Sequence, residues 1–338
     1  MKILDSGLTL KMRPMQYPHF YDCYKTAISN TWTVEEINFQ TDISDIRDKL
    51  TVGEKHVLNR VISFFAVGDL LVLHNSIRNL SKHINSPEAL LYYSRQIYEE
   101  SLHQDFYNIL LDNYIPDMEE REQIFDAVNT LPSVRAKAEF CLKWFDDGCS
   151  VDVLDTDEKK QKYLINLITF AAAVEGIQFM ASFSYVFWLR SRGLMNGLAD
   201  GTEWVFRDES LHMQFGFKIV DTIKEQYPEL WTEEFQKTVV EMLKEAIAVE
   251  VFFAKDVLSE GVIGLSVDSI ENYLKFMADK HLDRMGINLH RFNGKNEFSF
   301  MDLQNLEAQS NFFERRVAAY QIGTTRGGEK DVSFDHDF

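Results

Sequence analysis

Residues 97–107 read IYEESLHQDFY and residues 206–212 read FRDESLH, so a glutamate followed three positions later by a histidine occurs twice, as Glu100/His103 and Glu209/His212. On a helix this spacing places carboxylate and imidazole on one face, where they can share a cation. One such pair alone means little, because 53 acids and nine histidines in 338 residues produce it readily by chance. The weight comes from what precedes each pair. Asp69 stands 31 residues before Glu100, among Val61, Ile62, Phe65, Val72 and Leu73. Glu175 stands 34 residues before Glu209, among Ile168, Ala171, Ala172, Phe179 and Phe183. A carboxylate in an apolar stripe is costly to bury and ordinarily takes up a proton unless a positive charge meets it. The matched spacings predict two helical hairpins, each offering one lone acid and one Glu-x-x-His.

Helical periodicity dominates the rest of the chain, and alternating runs closed by Asn-Gly or Asp-Gly turns are missing. A short helix is expected over 16–30, followed by a loop holding Trp32. Thr51-Val-Gly-Glu54 reads as a capping box opening a helix to about Ile84, and Ser86-Pro87 as a cap and first-turn proline for a helix to about Tyr114. Further helices are expected at 132–148, 158–190, 194–226, 232–259 and 267–287. After Arg316 the pattern fades, and QIGTTRGGEKDVSFDHDF reads as a flexible tail. The chain is therefore expected to be all-α, with one domain over 1–320 and a tail over 321–338.

The stretch Leu167–Leu189 carries one charge, Glu175, in 23 residues. A membrane span would look like this, but Glu175, Gln178, Ser182 and Ser184 favour a helix buried in a large helical core. The net charge of −18 repels phosphate backbones and anionic lipid, so neither nucleic acid nor membrane is an expected partner. Three cysteines with no C-x-x-C pair, and a start (MKILDSGLTL) without a secretory h-region, point to a reducing cytoplasm.

Four carboxylates (Asp69, Glu100, Glu175, Glu209) and two imidazoles (His103, His212) on four helices suit two adjacent divalent ions, as in the dinuclear carboxylate site of ferritin-like bundles. Nitrogen and oxygen donors without thiolate favour iron or manganese over zinc or copper. At this point IYEESLHQDFY, AAVEGIQF (172–179) and FRDESLH, in that order and spacing, resemble the small, radical-generating subunit of class I ribonucleotide reductase. The resemblance spans nearly the whole chain. It implies a ferritin-like helical bundle with extra helices, and a cofactor of two Fe, two Mn or a mixed Mn/Fe pair on the six residues above. It also implies Tyr107 as the tyrosine oxidised to a radical, in a pocket of Phe179, Phe183 and Val205. Trp32 and Asp208 match a radical-transfer pair leading to His103, Tyr320 the last tyrosine of the relay, and Glu314 a glutamate tied to subunit communication. DVSFDHDF (331–338) resembles the tail that docks on the large catalytic subunit, where ribonucleotides become deoxyribonucleotides, and a homodimer is implied. The alternative expectation is a ferritin-like dinuclear-metal oxidase acting on a bound organic ligand. Relatives of that kind usually carry Glu where Asp69 stands, and lack the tail.

Overall fold

The structure, a computed structural model, describes residues 1–7, 9–146 and 153–301. All regular structure among these residues is helical. The boundary expected at 320/321, with Glu314, Tyr320 and the terminal peptide, lies outside them.

Local signals fix the starts of the long helices. Helix α3 (Val52–Asn75) opens on the anticipated capping box: Glu54 N–H donates to Thr51 Oγ1 (3.3 Å), and the Glu54 carboxylate accepts from the Thr51 backbone N–H (2.8 Å). Helix α4 (Pro87–Tyr114) opens on Ser86, whose Oγ accepts from Ala89 N–H at 3.1 Å. Thr232 and Ser266 cap the helices Glu233–Val257 and Val267–Met285 in the same way. Helix α1 (Pro18–Ser29) lies on α4.

The helix expected from Thr51 to about Ile84 is regular only to Asn75 and ends in a π turn Ser76–Leu80 and a 3-10 turn Ser81–His83, and the short helices Met118–Phe125 and Ala127–Thr130 were not anticipated. Two further differences bear on the site. The helix expected over 158–190 is three pieces: an α-helix Asp157–Ile168, a π-helical segment Thr169–Phe179, and an α-helix Met180–Ser191. The π segment carries Glu175. At Gly176 the His281 imidazole comes so close that a Cβ would lie 2.3 Å from its Nε2; that nitrogen donates to the Gly176 carbonyl at 3.0 Å. The widened turn thus depends on a bare glycine and on a donor from the helix Val267–Met285. Second, a short helix α2 (Gln40–Asp48) was not anticipated. Its acids are buried: Asp42 accepts from Gly197 and Leu198 N–H (3.0 and 2.7 Å), and Asp45 from Met195 N–H (3.0 Å). They satisfy the free amides at the start of the distant long helix Asn196–Gln226, whose N-cap Met195 supplies no side-chain cap.

Four rods form the centre: α3 against α4, and the π segment against Asn196–Gln226. The helices Pro132–Asp146, Glu233–Val257 and Val267–Met285 pack around them. Two helical stretches, Val52–His83 and Asp157–Ser191, are long and apolar enough to cross a membrane, but the most apolar window of the second is 94% buried inside the molecule. That segment is a core helix, which is why it lacks a polar face.

Candidate metal centre

All six predicted donors are completely buried and meet between the four rods. Asp69, Glu100 and His103 present ligand atoms within 4.8 Å of one another, as do Glu100, Glu175, Glu209 and His212. The two sets share Glu100. The imidazole nitrogens show the same overlap. His103 Nδ1 lies 3.7 Å from Glu100 Oε2 and 3.1 Å from Glu209 Oε1; His212 Nδ1 lies 3.1 Å from Glu100 Oε1 and 2.7 Å from Glu209 Oε2. Each of these glutamates therefore spans both histidines, while Asp69 belongs to one set and Glu175 to the other.

Charge burial governs protonation here. Burial above all holds the Asp69 and Glu175 carboxyls well above the ordinary range, and Glu209 and Glu100 add to it. Burial also opposes ionisation of Glu209, but His212 and His103 outweigh it and hold that carboxyl low. Burial would strip protons from the imidazoles, yet Glu209 and Asp208 raise His103, while Tyr92, Glu100 and Glu209 raise His212. Both oxygens of Asp69, Glu100 and Glu175, with Glu209 Oε1 and His103 Nδ1, are buried without a hydrogen-bond partner. So many orphaned acceptors at one point fit a pair of cations.

Tyr107 lies two turns along α4 from Glu100, fully buried, its hydroxyl without a partner. Burial first, then Asp69 and the other carboxylates, pushes its phenol well up, so it stays neutral. The ring that covers it is Phe65, stacked at 4.8 Å and 13°. Phe65 in turn meets Phe183 at 5.5 Å and Phe179 at 6.3 Å. The sequence reading placed Phe65 only in the stripe around Asp69; here it is the ring between Tyr107 and the anticipated Phe179 and Phe183. Val205 is also fully buried.

On the other side of His103 the Trp32 indole N–H donates to Asp208 Oδ2 at 2.7 Å, and the same oxygen lies 3.4 Å from His103 Nε2. The indole also stacks on the His103 ring at 6.2 Å and 18°. One residue went unremarked in the sequence: Glu99, whose Oε2 accepts from His212 Nε2 at 3.0 Å. Its signal was the parallel between Glu99-Glu100-Ser-Leu-His103 and Asp208-Glu209-Ser-Leu-His212. In each run the first acid serves the histidine of the other.

A helical bundle with an inward-facing carboxylate–histidine cluster shared by four rods defines a ferritin-like protein built for a dinuclear metal site. The family model for the ribonucleotide reductase small chain matches residues 9–297. Similar proteins include the ribonucleoside-diphosphate reductase small chains of Nicotiana tabacum (34% identical, covering 97% of this chain and 94% of that one) and Variola virus (35%, covering 96% and 95%). The Saccharomyces cerevisiae ribonucleotide reductase homodimer structure is 26% identical with a TM-score of 0.74, covering 94% of this chain and 92% of that one. The R2 subunit from Clostridium botulinum shares the fold, with a TM-score of 0.79 at 21% identity, covering 91% and 94%. The chain belongs to the ribonucleotide reductase small-chain family. Its function is that of the family: the small subunit of an oxidoreductase, ribonucleoside-diphosphate reductase.

Proposed function

We propose that the six buried donors hold two iron or manganese ions and that this centre generates the oxidising equivalent used by a large subunit. The carrying observation is the pair of overlapping donor sets, with Glu100 and Glu209 in reach of both imidazoles. Bound there, the ions would supply one-electron oxidising chemistry from dioxygen or a reduced oxygen species. Asp69 and Glu175 would each help hold one of the two positions. Tyr107 would be the side chain oxidised, its electron passing to that oxidising centre and its phenolic proton to the neighbouring carboxylates, of which Asp69 acts on it most strongly, while Phe65, Phe179, Phe183 and Val205 would keep water away. His103, Asp208 and Trp32 form the path outward, with Asp208 accepting from the indole. Tyr320 continues that path, Glu314 takes part in subunit communication, and residues 321–338 dock on the large subunit, which reduces the ribonucleotide at its 2′ position.

The chain works as a homodimer in the cytoplasm. Leu70 and Ile77 stand half-exposed along the apolar stretch Val52–His83, one face that a second copy would cover, and the thiols of Cys23 and Cys141 are free and buried.

The test is metal analysis with electron paramagnetic resonance on chain activated separately with Fe(II) and Mn(II). Two metals per chain and a paramagnetic oxidised state are expected, and no uptake at this cluster overturns the reading. Tyr320→Phe should keep the oxidised state yet lose reductase activity with the large subunit.

A further inference from the structure

Asp208 is not the only carboxylate behind a cluster histidine, and Trp32 is not the only residue of its loop tied inward. Glu99, buried to 1% exposure, takes the Nε2 proton of His212 on one oxygen and the Arg95 Nε–H on the other (3.0 Å each). The Arg95 guanidinium then donates through Nη2 to Thr31 Oγ1 at 3.2 Å, the residue directly before Trp32. Its outer surface is covered by the half-exposed Tyr98 ring, 4.7 Å from the ring centre. The Asp208 side has the same construction: Arg207 Nη2 lies 3.4 Å from Asp208 Oδ1 and donates to the Asn30 carbonyl at 2.5 Å. Two acid–arginine pairs, one behind each histidine, thus converge on the loop Asn30–Trp32.

We propose that Glu99 and Arg95 are positioning residues that tie the His212 metal position to the Trp32 loop, so that filling this position sets the loop. The proposal rests on the six donors binding metal and goes beyond it, since that reading routes the relay through His103 alone. The physical case is direct. A carboxylate on Nε2 fixes the tautomer and angle of a ligating imidazole and raises its basicity, and removing such a partner typically weakens metal binding about 10–100-fold. Glu99 is held in turn by a guanidinium with one remaining anchor on the loop. When His212 turns onto a cation, Glu99 and Arg95 must follow, and Thr31 is the end of that linkage. Filling both positions then stiffens the loop from two sides.

The experiment uses the full chain and Mn(II) alone, under anaerobic conditions. It measures Mn(II) stoichiometry, the paramagnetic resonance signal and deuterium uptake of peptides spanning Asn30 to Thr33. In the unaltered chain the second equivalent should give a coupled pair signal and slow exchange in the loop at least several-fold. Thr31→Val, at an exposed position, should still bind two Mn(II) but lose most of that slowing. Glu99→Gln should bind one equivalent normally and the other at least ten-fold more weakly, giving an isolated six-line Mn(II) signal at two equivalents. A Thr31→Val chain with unaltered loop protection overturns the proposal. So does a Glu99→Gln chain in which both equivalents weaken equally or neither does, because a merely structural residue would not discriminate between positions. An unaltered chain that takes up no Mn(II) removes the metal reading and the proposal together; two Mn(II) with no response in either variant removes the proposal alone.

Discussion

The two hairpins offer the same donors but different surroundings. Seven residues after Glu100 comes Tyr107; seven after Glu209 comes Gly216. Tyr107 lies between the Phe65 and Phe106 rings, whereas a Cβ at Gly216 would stand 2.8 Å from the Ala171 methyl. The first half has room for an oxidisable ring and the second is packed shut against the π segment. The lone acids differ as well: Asp69 is a short side chain on a regular α-helix, Glu175 a longer one on a widened turn. Similar donor sets in unequal surroundings are what the proposed storage of the equivalent beside Tyr107 predicts.

The largest expected effect tests the equality. Glu209→Ala removes a donor within reach of both imidazoles, so metal analysis should find both positions weakened by more than the roughly 10–100-fold that loss of a mere supporting partner costs. Asp69→Ala should lose one equivalent and keep the other. Equal losses in the two variants would break the picture of shared and terminal acids. Next, Tyr107→Phe should retain two metals but lose any tyrosyl resonance signal and the reductase activity with the large subunit. A full signal would place the equivalent elsewhere.

The third concerns the second half alone. Burial lowers the His281 imidazole to about 4, against 6.5 for the free side chain. Below the unfolded value only the unfolded chain takes up the proton, so stability falls as pH drops from about 6.5 to about 4 and levels off below. The full loss from this residue is about 3 kcal/mol. Urea unfolding of the metal-free chain at pH 7 and pH 4.5 should show a smaller difference in His281→Gln, which keeps a donor for Gly176. The smallest is Gly216→Ala, expected to cost about 1–3 kcal/mol by overpacking against Ala171. A neutral outcome in a thermal melt would mean that the second half is looser than its contacts indicate.

Much of this was legible beforehand, for identifiable reasons. Caps are local, so Thr51, Glu54 and Ser86 announced their helices within four residues. The six donors were legible because lone acids in apolar stripes are rare and their spacing repeats. What stayed hidden depends on distant partners. The π segment needs His281, more than a hundred residues away, to approach Gly176. Helix α2 caps another helix, and its acids look like solvated charge until Gly197 and Leu198 are seen above Asp42 and Met195 above Asp45. Glu99 follows the same rule: beside Glu100 it reads as one more surface acid, and only the packing of α4 on Asn196–Gln226 brings it to His212.

The widened turn acts as a rotary coupling in the longest core rod. Helix Asp157–Ile168 and helix Met180–Ser191 are joined through it, so the direction in which Glu175 points is set by how far the intervening turns are unwound. Removing one alanine from Ala171–Ala173 would hardly alter the hydrophobic volume. It would nonetheless swing the acid by the angle of one residue relative to the preceding helix, somewhat less in this widened stretch than the roughly 100° of a regular α-helix. Length in this stretch, more than composition, is what aims the ligand.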